Sequence, residues 1–189
     1  CFVMPILEKL QNEEIKKDRN IQVLLLVPTR ELAIQIDEVF RAFTENLKRE
    51  VRTMAVYGGV SINPQMKGMF GVEVLIATPG RLLDLIEHNA LSISNIQHLV
   101  IDEADKMFQL GFGEEMDKLF ALMPAAKQTT LFSATLNDKV SEMKERLSIN
   151  PVMIEIKKEE VEIENIEQLA FNVSPENKGP FLRYLIKEK

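Results

Sequence analysis

The sequence predicts an α/β domain built on a mostly parallel β-sheet with helices on both faces. Three observations carry that prediction. Short β-rich apolar runs alternate with longer stretches of helical period. Each of five such runs is followed at its C-terminal end by a polar or glycine-rich string. The 189 residues are 46% hydrophobic and 28% charged, the balance of an ordinary globular domain.

The elements follow in order. Phe2, Val3, Ile6, Leu7 and Leu10 share one face of an opening helix, which gives way to a polar run at residues 11–20. Residues 21–27 read as the first strand. Leu32, Ile36, Val39, Phe40, Phe43 and Leu47 then recur at steps of three and four, which predicts an amphipathic helix over residues 29–50. Residues 51–57 form the next strand, and 72–77, 96–101 and 129–132 read as buried strands separated by helices. A sixth strand is expected at residues 152–156. Residues 166–173 alternate again, and a turn at 174–180 leads into a helical pattern at 181–187.

Composition narrows the function. Apolar runs such as residues 23–27 fall far short of the roughly 20 residues that span a bilayer, and no charged-then-apolar leader opens the chain, so neither membrane insertion nor secretion is expected. The single cysteine, Cys1, excludes an internal disulfide and argues against a cysteine zinc site. A reducing, cytoplasmic setting is expected. The net charge of −6 argues against coating nucleic acid by bulk electrostatics. That charge is uneven, because residues 155–167 hold six glutamates against two lysines and read as a solvated linker or strand edge. The nine methionines sit at core-like positions, and His88 and His98 lack ligand partners at useful spacing.

The strings after the strands are Pro28-Thr29-Arg30, Gly58-Gly59, Thr78-Pro79-Gly80-Arg81, Asp102-Glu103-Ala104-Asp105 and Ser133-Ala134-Thr135. In an open parallel sheet all C-terminal strand ends lie along one edge, where such folds bind ligands. Taken singly, Gly58-Gly59 is a turn, and Thr78-Pro79 is a helix start with Thr78 as N-cap. Arg30 and Arg81 are harder to dismiss, because each falls in the first turn of a helix, where the macrodipole disfavours a cation. A bound anion would remove the conflict, and two such sites on neighbouring strand ends suit a sugar-phosphate backbone. Either arginine could instead pair with a carboxylate such as Glu31 or Asp84. The acidic string is the most informative, since an apolar strand delivers three carboxylates together and their repulsion calls for a cation. All-oxygen donors suit Mg²⁺, with one carboxylate holding its water shell and a neighbour orienting a water towards a phosphoryl group. Ser133 and Thr135 could hydrogen-bond those carboxylates.

These strings, in this order and with Glu31-Leu32-Ala33 and Leu82 extending two of them, resemble the DEAD-box ATP-dependent RNA helicases of superfamily 2 over nearly the whole chain. The resemblance implies a three-layer RecA-like fold of the P-loop NTPase type and a monomeric RNA-stimulated ATPase that unwinds short duplexes. It implies Mg²⁺ held by Asp102 through water and an attacking water positioned by Glu103. Asp105, Ser133 and Thr135 would couple ATP hydrolysis to RNA binding. Pro28, Thr29, Arg30, Gly59, Thr78, Gly80 and Arg81 would line one RNA strand. Ala104 favours this group over its DEAH and DNA-helicase cousins, and Lys178-Gly179-Pro180 with Arg183-Tyr184-Leu185-Ile186 resembles the bacterial RhlE-like branch.

Departures from the family pattern set further expectations. A P-loop needs Gly followed by Lys, and none of the eight glycines precedes a lysine. The chain is therefore expected to be an interior slice of a longer protein. Residues 1–154 would be a first RecA-like domain without its P-loop and the strand leading into it, 155–165 an acidic linker, and 166–189 the start of a second RecA-like domain. Such a slice is expected to be inactive alone. The competing reading is a nucleotide-independent RNA-binding or regulatory module that retains only the RNA-contacting loops, and the intact acidic string weighs against it.

Overall fold

In a computed structural model, residues 2–12, 21–45, 47–147, 151–156 and 169–188 are described. The chain divides into two compact units, Cys1–Pro151 and Val152–Lys189. In the first, five strands pair in parallel in the order β2-β3-β1-β4-β5, with β1 at Val23–Leu26, β2 at Thr53–Val56, β3 at Val74–Ala77, β4 at His98–Ile101 and β5 at Gln128–Leu131. The helices are α1 (Val3–Gln11), α2 (Arg30–Thr44), α3 (Ile62–Gly68), α4 (Pro79–Glu87), α5 (Ala104–Gln109), α6 (Gly113–Leu122) and α7 (Asp138–Leu147).

The period-two geometry of the strands sorts their side chains into two cores. Val23, Leu25, Val74, Ile76 and Val100 face α1 and α2, meeting Leu7, Leu10, Ala33 and Phe40. Leu24, Leu26, Leu75, Leu99 and Ile101 face the opposite way, towards Leu82, Leu85, Met107, Leu119 and Val140 of α4, α5, α6 and α7. Every residue of β1 and β3 is buried, as near-continuous apolar strands covered on both faces must be, whereas β2 and β5 at the edges are only partly covered. This is the three-layer RecA-like arrangement. Each fully buried leucine contributes about 1.5–3 kcal/mol relative to exposure, so the central strands anchor the unit.

Four expectations require correction. The amphipathic helix ends at Thr44 rather than running to residue 50, and the Thr44 hydroxyl donates to the Arg41 carbonyl at 2.9 Å. The chain then turns to bury Val51 at the entrance to β2. Residues 152–156 make no strand pairing among the described residues, and Val152, Ile154 and Ile156 lie at least 86% exposed. Of residues 166–173, the first three lie outside the described residues and 169–173 carry no strand. In the second unit a short 3-10 turn, Pro175–Asn177, leads into α8 (Lys178–Glu188), three residues earlier than the pattern suggests. Phe181 packs between the rings of Phe171 and Tyr184. Most of the acidic stretch, residues 157–167, lies outside the described residues.

Candidate functional site at the sheet's C-terminal edge

The strand order regroups the five strings. Along the edge they run Gly58-Gly59 after β2, Thr78-Pro79-Gly80-Arg81 after β3, Pro28-Thr29-Arg30 after β1, then the acidic string after β4 and Ser133-Ala134-Thr135 after β5. The three phosphate-type strings are thus contiguous, and so are the two carboxylate and hydroxyl strings. The boundary between β1 and β4 is the switch point, where successive connections leave in opposite directions and α/β sheets hold ligands.

On the first half, α2 starts with Thr29 as N-cap, its hydroxyl accepting from Leu32 N–H at 3.3 Å. Arg30 is exposed and makes no ion pair among the described residues, so the pairing with Glu31 does not occur. Its guanidinium carbon lies 5.0 Å from the centre of the Tyr57 ring. A cation–π contact of about 0.5–1 kcal/mol is of the size needed to offset the 0.3–1 kcal/mol by which the macrodipole opposes a cation there (roughly). Tyr57 directly precedes Gly58-Gly59, and its carbonyl accepts from Gln65 Nε2 at 3.2 Å. Gly59 has φ +78, a conformation that requires glycine. At the start of α4, Pro79 occupies the first turn and Thr78 is the N-cap, without a side-chain capping bond.

Arg81 behaves differently from Arg30. Only 8% of its side chain is exposed; Nη2 donates to the Val60 carbonyl at 2.8 Å, and Nε approaches Asp84 Oδ2 at 3.5 Å. Nε and Nη1 have no hydrogen-bond partner. The Asp84 pairing exists, yet Arg81's one good bond goes to the loop after Gly59, tying the β2 and β3 strings together. Of the predicted RNA-lining residues, Arg30 and Gly59 are exposed, Thr29 and Gly80 are partly covered, and Pro28, Thr78 and Arg81 are buried.

On the second half, Asp102 N–H donates to Leu26 O at 3.0 Å and Ala104 N–H to Phe132 O at 3.1 Å, fastening the acidic string to the strand ends on both sides. Glu103 has φ 51 and ψ 49, a left-handed conformation that costs about 1 kcal/mol for a residue with a Cβ. The turn lets Asp102 Oδ1 accept from Glu103 N–H at 2.9 Å, and Glu103 Oε1 takes Lys106 Nζ at 2.7 Å. Asp105, only 5% exposed, accepts from the Thr135 hydroxyl at 2.9 Å, while Ser133 Oγ donates to the Thr135 carbonyl at 2.7 Å. The Thr135 hydroxyl thus bonds Asp105 directly, and the Ser133 hydroxyl, held against the Thr135 carbonyl, also acts on the Asp105 carboxylate.

The two aspartates are perturbed in opposite directions. Burial pushes Asp102 above the ordinary 3.8, and the adjacent Glu103 charge adds to this against the hydrogen bond from Glu103 N–H. For Asp105 burial also pushes upward, but the Thr135 and Ser133 hydroxyls and the Lys106 N–H outweigh it, and its pKa is lowered. By linkage, Asp102 disfavours the folded state once pH rises through its native pKa, whereas the stabilisation from Asp105 is present at neutral pH and lost as pH falls through its lowered pKa. Asp102→Asn keeps an oxygen for the Glu103 N–H and removes the penalised charge. It is expected to melt about 1–3 °C above wild type at pH 7, the gain vanishing near pH 3. A melting temperature at pH 7 equal to or below that of wild type would contradict this account.

Among the described residues no group of three or more His, Cys, Asp or Glu side chains could cage a metal. One half-buried carboxylate beside a second, all-oxygen in character, fits an ion such as Mg²⁺ that keeps most of its waters. Sequence reasoning missed Tyr57, Gln65 and Lys106. An aromatic residue at a strand end before Gly-Gly was a usable signal for Tyr57, and the spacing of three from Glu103 was one for Lys106. Gln65 had none.

A parallel RecA-like sheet with polar and glycine-rich loops on one half of its C-terminal edge and an acidic, hydroxyl-backed loop on the other has the architecture of the RecA-like domains of helicases. The family model of the DEAD/DEAH box helicases matches residues 1–143, and the chain belongs to that family. It is 36% identical over 187 residues to the ATP-dependent RNA helicase CshA of Listeria monocytogenes, covering 98% of this chain and 35% of that protein. It is 35% identical over 189 residues to the ATP-dependent RNA helicase DBP10 of Kluyveromyces lactis, covering all of this chain and 19% of that protein. The chain thus spans about a third or less of these relatives. The crystal structure of the yeast DEAD-box splicing factor Prp28 superposes with a TM-score of 0.69 at 29% identity, over 75% of this chain and 35% of that one.

Proposed function

We propose that residues 1–154 are the first RecA-like domain of a monomeric, cytoplasmic ATP-dependent RNA helicase that couples ATP hydrolysis to local unwinding of RNA or remodelling of RNA–protein complexes. The observation that supports this reading is the regrouping of the strings, with those after β2, β3 and β1 adjacent, as a track for an RNA backbone would need, and the acidic and hydroxyl strings adjacent after β4 and β5. In it, Arg30, Gly59 and Gly80 face one RNA strand, Thr29 and Thr78 start the two helices whose N–H groups point to it, and Pro28 and Arg81 shape the loops from beneath. Asp102 is the residue that would hold Mg²⁺ through its waters, and Glu103 the one that would orient the attacking water. When bound, ATP would supply the phosphoryl group and Mg²⁺ would neutralise its developing charge. Asp105 with Ser133 and Thr135 would couple ATP hydrolysis to RNA binding.

The phosphate cradle is assigned to another part of a longer protein, as are the remaining strands of the second RecA-like domain, which begins near residue 166. The wording at 178–186 supports a place near the RhlE-like branch. A nucleotide-independent module would leave the charge-crowded Asp102 and the strained Glu103 without a role, and it is not favoured.

Gly80 provides the test. It lies in the first turn of α4 with ordinary φ, and a Cβ built there meets nothing within 4 Å. Folding gives no reason for glycine, which costs up to about 1 kcal/mol against alanine in a helix, whereas close approach of a phosphate does. Gly80→Ala in the longer protein is expected to melt at or slightly above wild type. Its RNA affinity is expected to fall about tenfold or more, the loss of one charge-assisted hydrogen bond. Unchanged affinity for single-stranded RNA would remove Gly80 from the track.

A further inference from the structure

We infer that Tyr57 is a positioning residue for RNA binding, its ring holding the Arg30 guanidinium in place for a backbone phosphate. The inference rests on the RNA-track reading above and deepens it. Arg30 is the exposed cation of the track, its guanidinium carbon 5.0 Å from the Tyr57 ring centre, with no ion pair among the described residues. A long side chain at a helix start, opposed by the dipole, would otherwise sample many rotamers and need to be ordered each time RNA binds. The ring removes that cost in advance, as preorganisation does elsewhere.

The ring is itself fixed. Tyr57 packs against the core shared by α1 and α2, and Gln65 Nε2 holds its carbonyl at 3.2 Å. Arg81 secures the far side of the same loop through Val60. Tyr57 therefore connects the β1 string to the β2 string, a link that none of the phosphate-type residues makes alone. What matters for Arg30 is the aromatic face, so phenylalanine should serve as well as tyrosine.

The test measures binding of the longer protein to fluorescent single-stranded RNA at several salt concentrations, for wild type, Tyr57→Phe, Tyr57→Leu, Arg30→Ala and the Tyr57→Leu/Arg30→Ala double variant. Tyr57→Phe is expected to bind within twofold of wild type. Tyr57→Leu should bind roughly three- to tenfold more weakly. In the Arg30→Ala background the same change should cost less than twofold, because the group it positions is gone. An equal loss in both backgrounds, with Arg30→Ala itself weakened, overturns the positioning role and leaves the RNA track intact. An Arg30→Ala protein with wild-type affinity and salt dependence removes Arg30 from the track itself. Should Tyr57→Leu fail to fold, the NMR spectrum of the wild-type protein decides: Arg30 side-chain protons shifted upfield by the ring support the inference, and unshifted ones overturn it.

Discussion

Glu103→Gln is expected to lower RNA-stimulated ATP turnover of the longer protein by at least about a hundredfold, the range for losing a positioned general base, while RNA affinity stays within twofold. Glutamine has nearly the shape of glutamate, and its amide oxygen can still accept from Lys106, which now holds Glu103 Oε1 at 2.7 Å. The backbone also has no reason to change, since the left-handed turn at φ 51 is set by the bonds of Asp102 to β1 and of Ala104 to the end of β5. What disappears is the negative charge that would draw a proton from water. Single-turnover hydrolysis and RNA anisotropy on the same preparation separate the two effects. Turnover within threefold of wild type would remove Glu103 from the chemistry.

The largest loss of stability is expected from a residue with no part in the site. Arg49 lies in the segment joining α2 to β2, and its Nη1 meets both carboxylate oxygens of Glu73, at 2.6 and 2.7 Å, just before β3. Their side chains are 11% and 3% exposed. Replacing the cation with methionine keeps much of the bulk but leaves a buried carboxylate without its guanidinium, a change that costs about 3–5 kcal/mol. Arg49→Met should therefore melt roughly 6–20 °C lower, at 2–4 °C per kcal/mol for a chain of this size (approximately). Adding Glu73→Leu should recover most of the loss, because two apolar side chains no longer strand a charge. A single variant melting within about 2 °C of wild type, on the same scale, would mean that this corner is closed by other contacts.

The contrast between these residues explains what could be read in advance. The central strands were legible because Leu24, Leu25, Ile76 and Val100 are buried from both faces and leave an unbroken apolar signal. The gathering of the five strings on one edge was legible because a parallel sheet must collect its C-terminal strand ends there. Two kinds of feature were not. Contacts between distant segments, such as Arg49 with Glu73 and Arg30 with Tyr57, depend on strand order, and each member alone looks like a surface charge or a core aromatic. Element ends depend on local competition: Leu47 continues the α2 period, yet the turn that buries Val51 halts the helix at Thr44. Among the described residues, 152–156 carry a strand's pattern without a ladder, since alternation records a preference and pairing needs a neighbour. Arg81 shows the same limit within the site, where its position in the first turn is the expected one but its guanidinium points inward to Val60.

The placement of β1 between β3 and β4 also has a consequence during synthesis. Val23 ends up beside Val74 and His98, residues made about 50 and 75 positions later. At about 5–20 residues per second on the ribosome, this wholly apolar strand waits roughly 4–15 s before both of its neighbours have emerged. Through that interval Val23, Leu24, Leu25 and Leu26, all fully buried in the finished fold, are available to other chains. The strand that organises the sheet is thus also a segment that calls for shielding by chaperones while the chain is being made.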